Sequence, residues 1–168
     1  MILSVFPNES VGFVGMDGFH LSNRVLDDLD IRNWKGAPDT FDVVGFASLL
    51  SRIRTEQIAD IYFPIFHREF EESYAAEGVA KAGVELVVVE GNYLLDDDFR
   101  WGSIKSFLDE TWYISIEDLL RQSRLVKRHE VHGKTNLEAG DWVIKTDELN
   151  AVFVDSSKKY AIKIVALA

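Results

Sequence analysis

A chain of 168 residues, 47% hydrophobic and 27% charged, has the size and composition of one soluble globular domain, taken here as residues 1–168. Its formal net charge of −10 argues against a nucleic-acid or anionic-membrane partner, since either calls for a basic face, and leaves small-molecule substrates open. There is no cysteine, which excludes disulfide and thiol chemistry. Met1 to Phe6 is too short and too poor in basic residues for a secretory signal, and no apolar run approaches the ~18 residues of a membrane span, so a cytoplasmic location is expected.

Strands are predicted at Val11 to Met16, Ile58 to Phe63, Leu86 to Glu90, Thr111 to Ile116 and Ile162 to Ala166. Leu86 to Val89 is apolar at every position, the pattern of a strand covered on both faces. Asp42 reads as the N-cap of a helix through about Arg54, with Val43, Phe46, Ala47, Leu50 and Ile53 at spacings of three and four. Ser115 with Asp118 is predicted to cap a second helix running towards His132. Thr135-Asn136-Leu137-Glu138 is a capping box that opens a third. Helices between strands imply right-handed crossovers, hence an α/β fold with a mainly parallel sheet.

In such a sheet the carboxyl ends of the strands share one edge, and ligands bind there. Two strands of this chain end in an acid followed at once by glycine, Asp17-Gly18 and Glu90-Gly91. Both acids are therefore predicted to face one cleft. One carboxylate near an acceptor hydroxyl and another near a metal is an arrangement suited to phosphoryl transfer. Against this, Asp-Gly is also an ordinary strand-to-loop turn, and Glu90 is also readable as a cap on the turn at Gly91. Arg121, Arg124 and Arg128 fall on one helical face, as phosphate-binding guanidinium groups or as a solvated stripe. Trp34, Phe41, Phe63 and Phe66 suit an apolar pocket wall and core packing equally. No His, Asp and Glu cluster has zinc-ligand spacing.

Seven blocks in order resemble one family. They are Met16-Asp17-Gly18-Phe19-His20-Leu21, Lys35-Gly36-Ala37-Pro38-Asp39-Thr40-Phe41-Asp42, Phe63-Pro64-Ile65-Phe66-His67-Arg68 and Val89-Glu90-Gly91-Asn92-Tyr93-Leu94-Leu95. After them come Arg124-Leu125-Val126-Lys127-Arg128-His129, Gly133-Lys134 and Asp147-Glu148-Leu149-Asn150-Ala151. The chain resembles P-loop kinases of the phosphoribulokinase and uridine kinase type, in particular the pantothenate-kinase-like branch with its sugar (fructose-type) kinases. The resemblance implies a three-layer, mainly parallel sheet between helices, with ATP and Mg²⁺ as cofactors. It implies Asp17 orienting the acceptor hydroxyl, Glu90 acting on the metal indirectly, and Arg124 and Arg128 as a lid over the transferring phosphoryl group. It places His20, Lys35, His67 and Arg68 in the acceptor pocket, and Lys134 and Asn150 near the nucleotide. Members often carry aspartate where this chain has His67.

The family opens with a strand, a Gly-x-x-x-x-Gly-Lys-Ser/Thr loop and a helix, a unit of roughly 30 residues. Only ten residues precede Val11 here, so this loop is expected to be missing. Gly133-Lys134-Thr135 does not supply it: the loop needs glycine at position 128, which is Arg128. Three compensations are expected for the lost strand: direct closure of its neighbours, entry of Ile2 to Phe6, or a strand from a second copy in a homodimer. Two functions stay open, a small-molecule kinase of low activity as this chain, or a non-catalytic relic or regulatory module that binds a metabolite or partner.

Overall fold

The computed structural model describes residues 11–56, 58–98 and 100–167. They form two compact units, one within residues 11–94 and 98–107, the other within residues 95–97 and 108–167.

In the first unit β1 (Val11–Gly15) runs parallel to β4 (Leu86–Glu90), with Val11 opposite Leu86 and Gly15 opposite Glu90. Both strands therefore end at the same level. After β1 the chain makes a 3-10 turn, Met16–Phe19, then α1 (Asn23–Asp28), whose N-cap Ser22 accepts from the Val25 amide. Next comes α2 (Val43–Thr55), which starts as the sequence predicts: the Asp42 carboxylate accepts from the Gly45 amide at 2.8 Å. Its inner face carries Val43, Phe46, Leu49 and Leu50 into the core, and Phe46 meets Phe19 with ring centroids 5.1 Å apart. An antiparallel hairpin follows, β2 (Ile61–His67) with β3 (Glu72–Ala80). Its register shifts between Phe63 and Ile65, at Pro64, whose nitrogen has no proton for the ladder.

The core of this unit gathers Val14, Met16, Phe19, Leu26, Phe41, Phe46, Phe63, Tyr93, Trp101 and Ile104. Phe41, Tyr93 and Trp101 contact one another through their ring edges at 5.5–5.8 Å.

The second unit opens with β5 (Trp112–Ile116), parallel to β6 (Lys163–Leu167). Between them lie α3 (Asp118–Val131), α4 (Asn136–Trp142), a π turn (Val143–Asp147) and α5 (Glu148–Ser157). The Thr135 capping box is complete: the Glu138 carboxylate accepts from the Thr135 amide, and the Thr135 hydroxyl accepts from the Glu138 amide. The cap of α3 differs from expectation. Ser115 is still in β5, and the Glu117 carboxylate accepts from the Leu120 amide instead.

The α/β class holds, but a single mainly parallel sheet does not appear. The described residues form three two-stranded sheets, one of them antiparallel. The hairpin went unread in the sequence because β3 (ESYAAEGVA) shows neither an apolar run nor clean alternation. The second strand also starts later than predicted: Ile58 is 92% exposed, and the ladder begins at Ile61. Among the described residues the ladder partner of β4 is β1. Ile2 to Phe6 lies outside the described residues. With one neighbour each, the apolar residues of β4 are only half-buried, contrary to the two-sided cover their sequence suggests.

A close approach fixes the turn after β1. A β-carbon on Gly18 would stand 2.2 Å from the Pro64 carbonyl oxygen, backbone against backbone. Gly18→Ala is therefore expected to cost about 2 kcal/mol or more. Gly140→Ala, in open space within α4, should be neutral or stabilising by roughly 0.5 kcal/mol. Urea unfolding of both variants checks the contrast.

Candidate functional site

The β1–β4 register decides where the two strand-end acids go. Glu90 is the last residue of β4, level with Gly15, and Asp17 follows Gly15 by two positions in the first turn beyond β1. The Asp17 charge is close enough to raise the Glu90 pKa. The acids thus stand at one sheet edge although 73 positions apart in sequence.

Arg68, just beyond β2, completes the group. Its Nη2 donates to Asp17 Oδ2 at 3.2 Å, its charge acts on Glu90 as well, and its guanidinium lies 5.8 Å from the Phe66 ring centre. Both side chains of the Asp17–Arg68 pair are about 40% exposed, so this is an accessible pair and not a sealed one. Glu90 is held above the ordinary carboxylate range, first by desolvation and then by the Asp17 charge, while Arg68 pulls the other way.

His20 is wedged between Phe41 and Phe66, with ring centroids 4.1 and 4.6 Å away. Its Nδ1 donates a hydrogen bond to the Asp17 carbonyl oxygen at 2.7 Å. Burial lowers the His20 pKa, so the imidazole is neutral, with Nδ1 as donor and Nε2 as acceptor. The segment around it is zipped together: the Leu21 amide donates to the Thr40 carbonyl and the Asp42 amide to the Phe19 carbonyl.

Lys35 donates to Asn23 Oδ1 at 2.6 Å and to the Glu71 carbonyl, with its ammonium 5.3 Å from the Phe66 ring centre. Glu72 in turn accepts from the Asn23 amide at 2.8 Å. These bonds tie the β2–β3 tip to the segment 23–35. His67 is bracketed by Glu77 at 2.6 Å and Glu69 at 3.3 Å, and both raise its pKa.

Four groups that shape this site were not singled out in the sequence. Tyr93 donates from its hydroxyl to the Gly36 carbonyl at 2.6 Å, and burial pushes its pKa far up. Trp101 Nε1 donates to the Pro38 carbonyl at 3.3 Å. Together they hold the 36–41 loop, and with it Phe41, against His20. Asn23 and Glu72 complete the set. The signal available for Tyr93 and Trp101 was hydrophobicity alone, which marks core and not loop support. Of the four aromatic rings weighed for a pocket wall, Phe63 is core, Trp34 is 64% exposed, and Phe41 and Phe66 flank His20.

In the second unit α3 carries Arg124 and Arg128 on an exposed face, with no ion pair among the described residues. Arg121 differs: it is paired to Glu148 and Asp118. The Lys134 ammonium stands 4.4 Å from the Trp142 ring centre, beside an open groove of about 530 Å³ that Gly133, Asp141 and Lys145 also line. Asn150 lies in the first turn of α5.

Among the described residues there is no cluster of three or more His, Cys, Asp and Glu that would hold a metal by itself, and no helix is long and apolar enough to cross a membrane.

No protein-family model matches the chain. It is 30% identical over 145 residues to the ATP-dependent kinase-like protein notR' of Aspergillus versicolor, covering 81% of this chain and 84% of that protein. It is 34% identical over 152 residues to the uncharacterized protein YggC of Escherichia coli, covering 90% of this chain and 62% of that one. The chain therefore spans less than two thirds of the E. coli protein's length. Among solved structures, a candidate fructose transport system kinase from Silicibacter sp. TM1040 superposes with a TM-score of 0.85 at 28% identity, covering 92% of this chain and 74% of that one. YFH7 of Saccharomyces cerevisiae, described as a candidate P-loop kinase with a circular permutation, superposes at 0.80 with 26% identity, over 94% of this chain and 58% of that one. The chain belongs to the P-loop kinase family of the uridine kinase, YFH7 and fructose transport kinase type.

A raised carboxyl pKa means that the folded state prefers the protonated acid. The stability that Glu90 contributes is complete below its ordinary value of 4.5 and is lost as pH rises through the folded-state value. Glu90→Gln is therefore expected to raise the thermal unfolding midpoint at about pH 8, with the difference fading towards about pH 3.5. A lower midpoint at the alkaline end would show that Glu90 is held as a stabilising anion.

Proposed function

We propose that the chain is an ATP-dependent phosphotransferase domain acting on a hydroxyl of a small metabolite, a sugar, a nucleoside or a pantothenate-like compound being the first classes to try. One observation carries this reading: the parallel register ending at Gly15 and Glu90 sets two carboxylates at one edge, with Arg68 acting on both. Family membership supports it.

In the reaction the acceptor oxygen attacks the γ-phosphorus of ATP, the bond to the β-phosphate oxygen breaks, and the hydroxyl proton leaves. Asp17 orients that hydroxyl and takes the proton. Its carboxylate is exposed enough to reach an acceptor and is held in place by Arg68. As the acceptor arrives, Arg68 has a second anion to turn to, Glu90. Neutral His20 offers Nε2 to a further acceptor hydroxyl. Magnesium supplies charge neutralisation on the phosphates when bound. Such an ion would be held mainly by phosphate oxygens and water, and Glu90 would act on it through water, because magnesium needs only one or two carboxylates beside substrate phosphates. Arg124 and Arg128 are assigned to phosphate contacts on resemblance, a task for which planar guanidinium groups are suited. Lys134 and Asn150 are assigned to nucleotide contacts on resemblance.

A second reading has its own support. The Gly-x-x-x-x-Gly-Lys-Ser/Thr pattern is not in these 168 residues, and catalysis of this kind is mostly positioning and electrostatics. Metabolite binding without turnover is the corresponding activity.

The test is ATP consumption by the 168-residue polypeptide over a panel of sugars and nucleosides, with calorimetric binding of the same compounds. Low turnover is expected, and Asp17→Asn should reduce it a further ~10²-fold or more. Turnover unchanged by Asp17→Asn would remove the proposed base. Acceptor binding with no turnover at all would favour the second reading.

A further inference from the structure

Nothing above accounts for the π turn at Val143–Asp147. A π turn holds one residue more than an α turn, is rare, and tends to occur where its geometry serves a site. One extra residue rotates everything beyond it by roughly 100° about the helix axis. In this chain Asp147 closes the turn and Glu148 follows it, and each meets a side chain of α3.

Asp147 Oδ2 stands 2.8 Å from His129 Nε2, with the two side chains 18% and 16% exposed. Glu148 Oε1 stands 2.7 Å from Arg121 Nη1, an off-axis ion pair whose two atoms are closed off from solvent. Asp118 adds a second anion to Arg121 at 3.2 Å, Gln122 is a further partner of Glu148, and the His129 ring centre lies 6.3 Å from that of Trp142. No residue of α3 is buried. Its apolar side chains Leu120, Leu125 and Val126 are half-buried, and two polar pairs eight positions apart add directional contacts. Arg124 and Arg128 lie between those two anchors.

We propose that Asp147 with His129, and Glu148 with Arg121, are positioning residues: delivered by the π turn, they set the rotation of α3 and so aim Arg124 and Arg128 at a polyphosphate. The role rests on Arg124 and Arg128 being phosphate-binding groups. Paired hydrogen bonds from guanidinium to phosphate depend on direction as well as charge, so a turned helix loses affinity while keeping all its cations.

The experiment is calorimetric titration of the 168-residue chain with inorganic tripolyphosphate and with ATP. Asp147→Ala should weaken binding about tenfold with an unchanged helical circular dichroism signal. Asp147→Asn, which still offers an oxygen to His129, should stay within about twofold of the parent. In an Arg124→Ala/Arg128→Ala background Asp147→Ala should have no further effect, since nothing remains to be aimed. Deleting Thr146 removes the extra residue of the π turn, and should reproduce the tenfold loss. This deletion carries the test if Asp147→Ala does not fold. Equal losses in the parent and the double-alanine background would overturn the positioning role and leave the phosphate reading standing. No binding by the parent, or binding untouched by the double alanine, would overturn the phosphate reading and the positioning role together.

Discussion

The first unit depends on a register. Parallel pairing of β1 with β4 aligns Gly15 with Glu90, and both chemically interesting acids follow from it. Glu90 has to be there because it ends the strand. Asp17 has to be there because the chain turns tightly, and it turns tightly because Gly18 lets the Pro64 carbonyl come within a distance no side chain tolerates. Slipping the pairing by one residue would point each side chain to the opposite face and separate the acids.

The surroundings of that register hold charge in an uneasy balance. Two carboxylates and one guanidinium leave the group net negative, and desolvation opposes ionisation of Glu90 as well. A cation or a desolvated hydroxyl relieves such an imbalance, whereas an added anion worsens it. That preference is electrostatic and local. The aromatic packing beneath serves the same end: Tyr93 and Trp101 donate to backbone carbonyls of the 36–41 loop and hold Phe41 against the neutral His20.

Much of this was legible in the sequence, for reasons that can be named. The acids were found because parallel strands must end together, a rule that needs only the strands to be identified. The Asp42 and Thr135 caps were found because their hydrogen bonds are local, three residues long. The β2–β3 hairpin was missed because its pairing runs through Pro64 and a polar strand, where neither periodicity nor propensity speaks. Arg68 was picked out as a fixed positive charge beside an apolar run, but its bond to Asp17 spans 51 positions and no local pattern encodes it. Arg121 illustrates the opposite case. Helical spacing set it beside Arg124 and Arg128, and only the tertiary pairing with Glu148 sets it apart from them.

The two units are stabilised by different means, and the difference bears on what each does. The first has a wide apolar core, with Phe46, Tyr93, Trp101, Met16 and Leu26 sealed from solvent, so its acids stand on a rigid support. In the second, the α3–α5 segment buries little beyond Ala139 and Val143, and its longest helix is held by ionic and hydrogen-bonded pairs. Apolar packing resists small displacements because any shift opens voids, whereas a few directional pairs break and re-form at modest cost. A segment built on such pairs is drawn from the less stable end of a structure. The two acids of the first unit are therefore held more firmly than the side chains that α3 carries in the second.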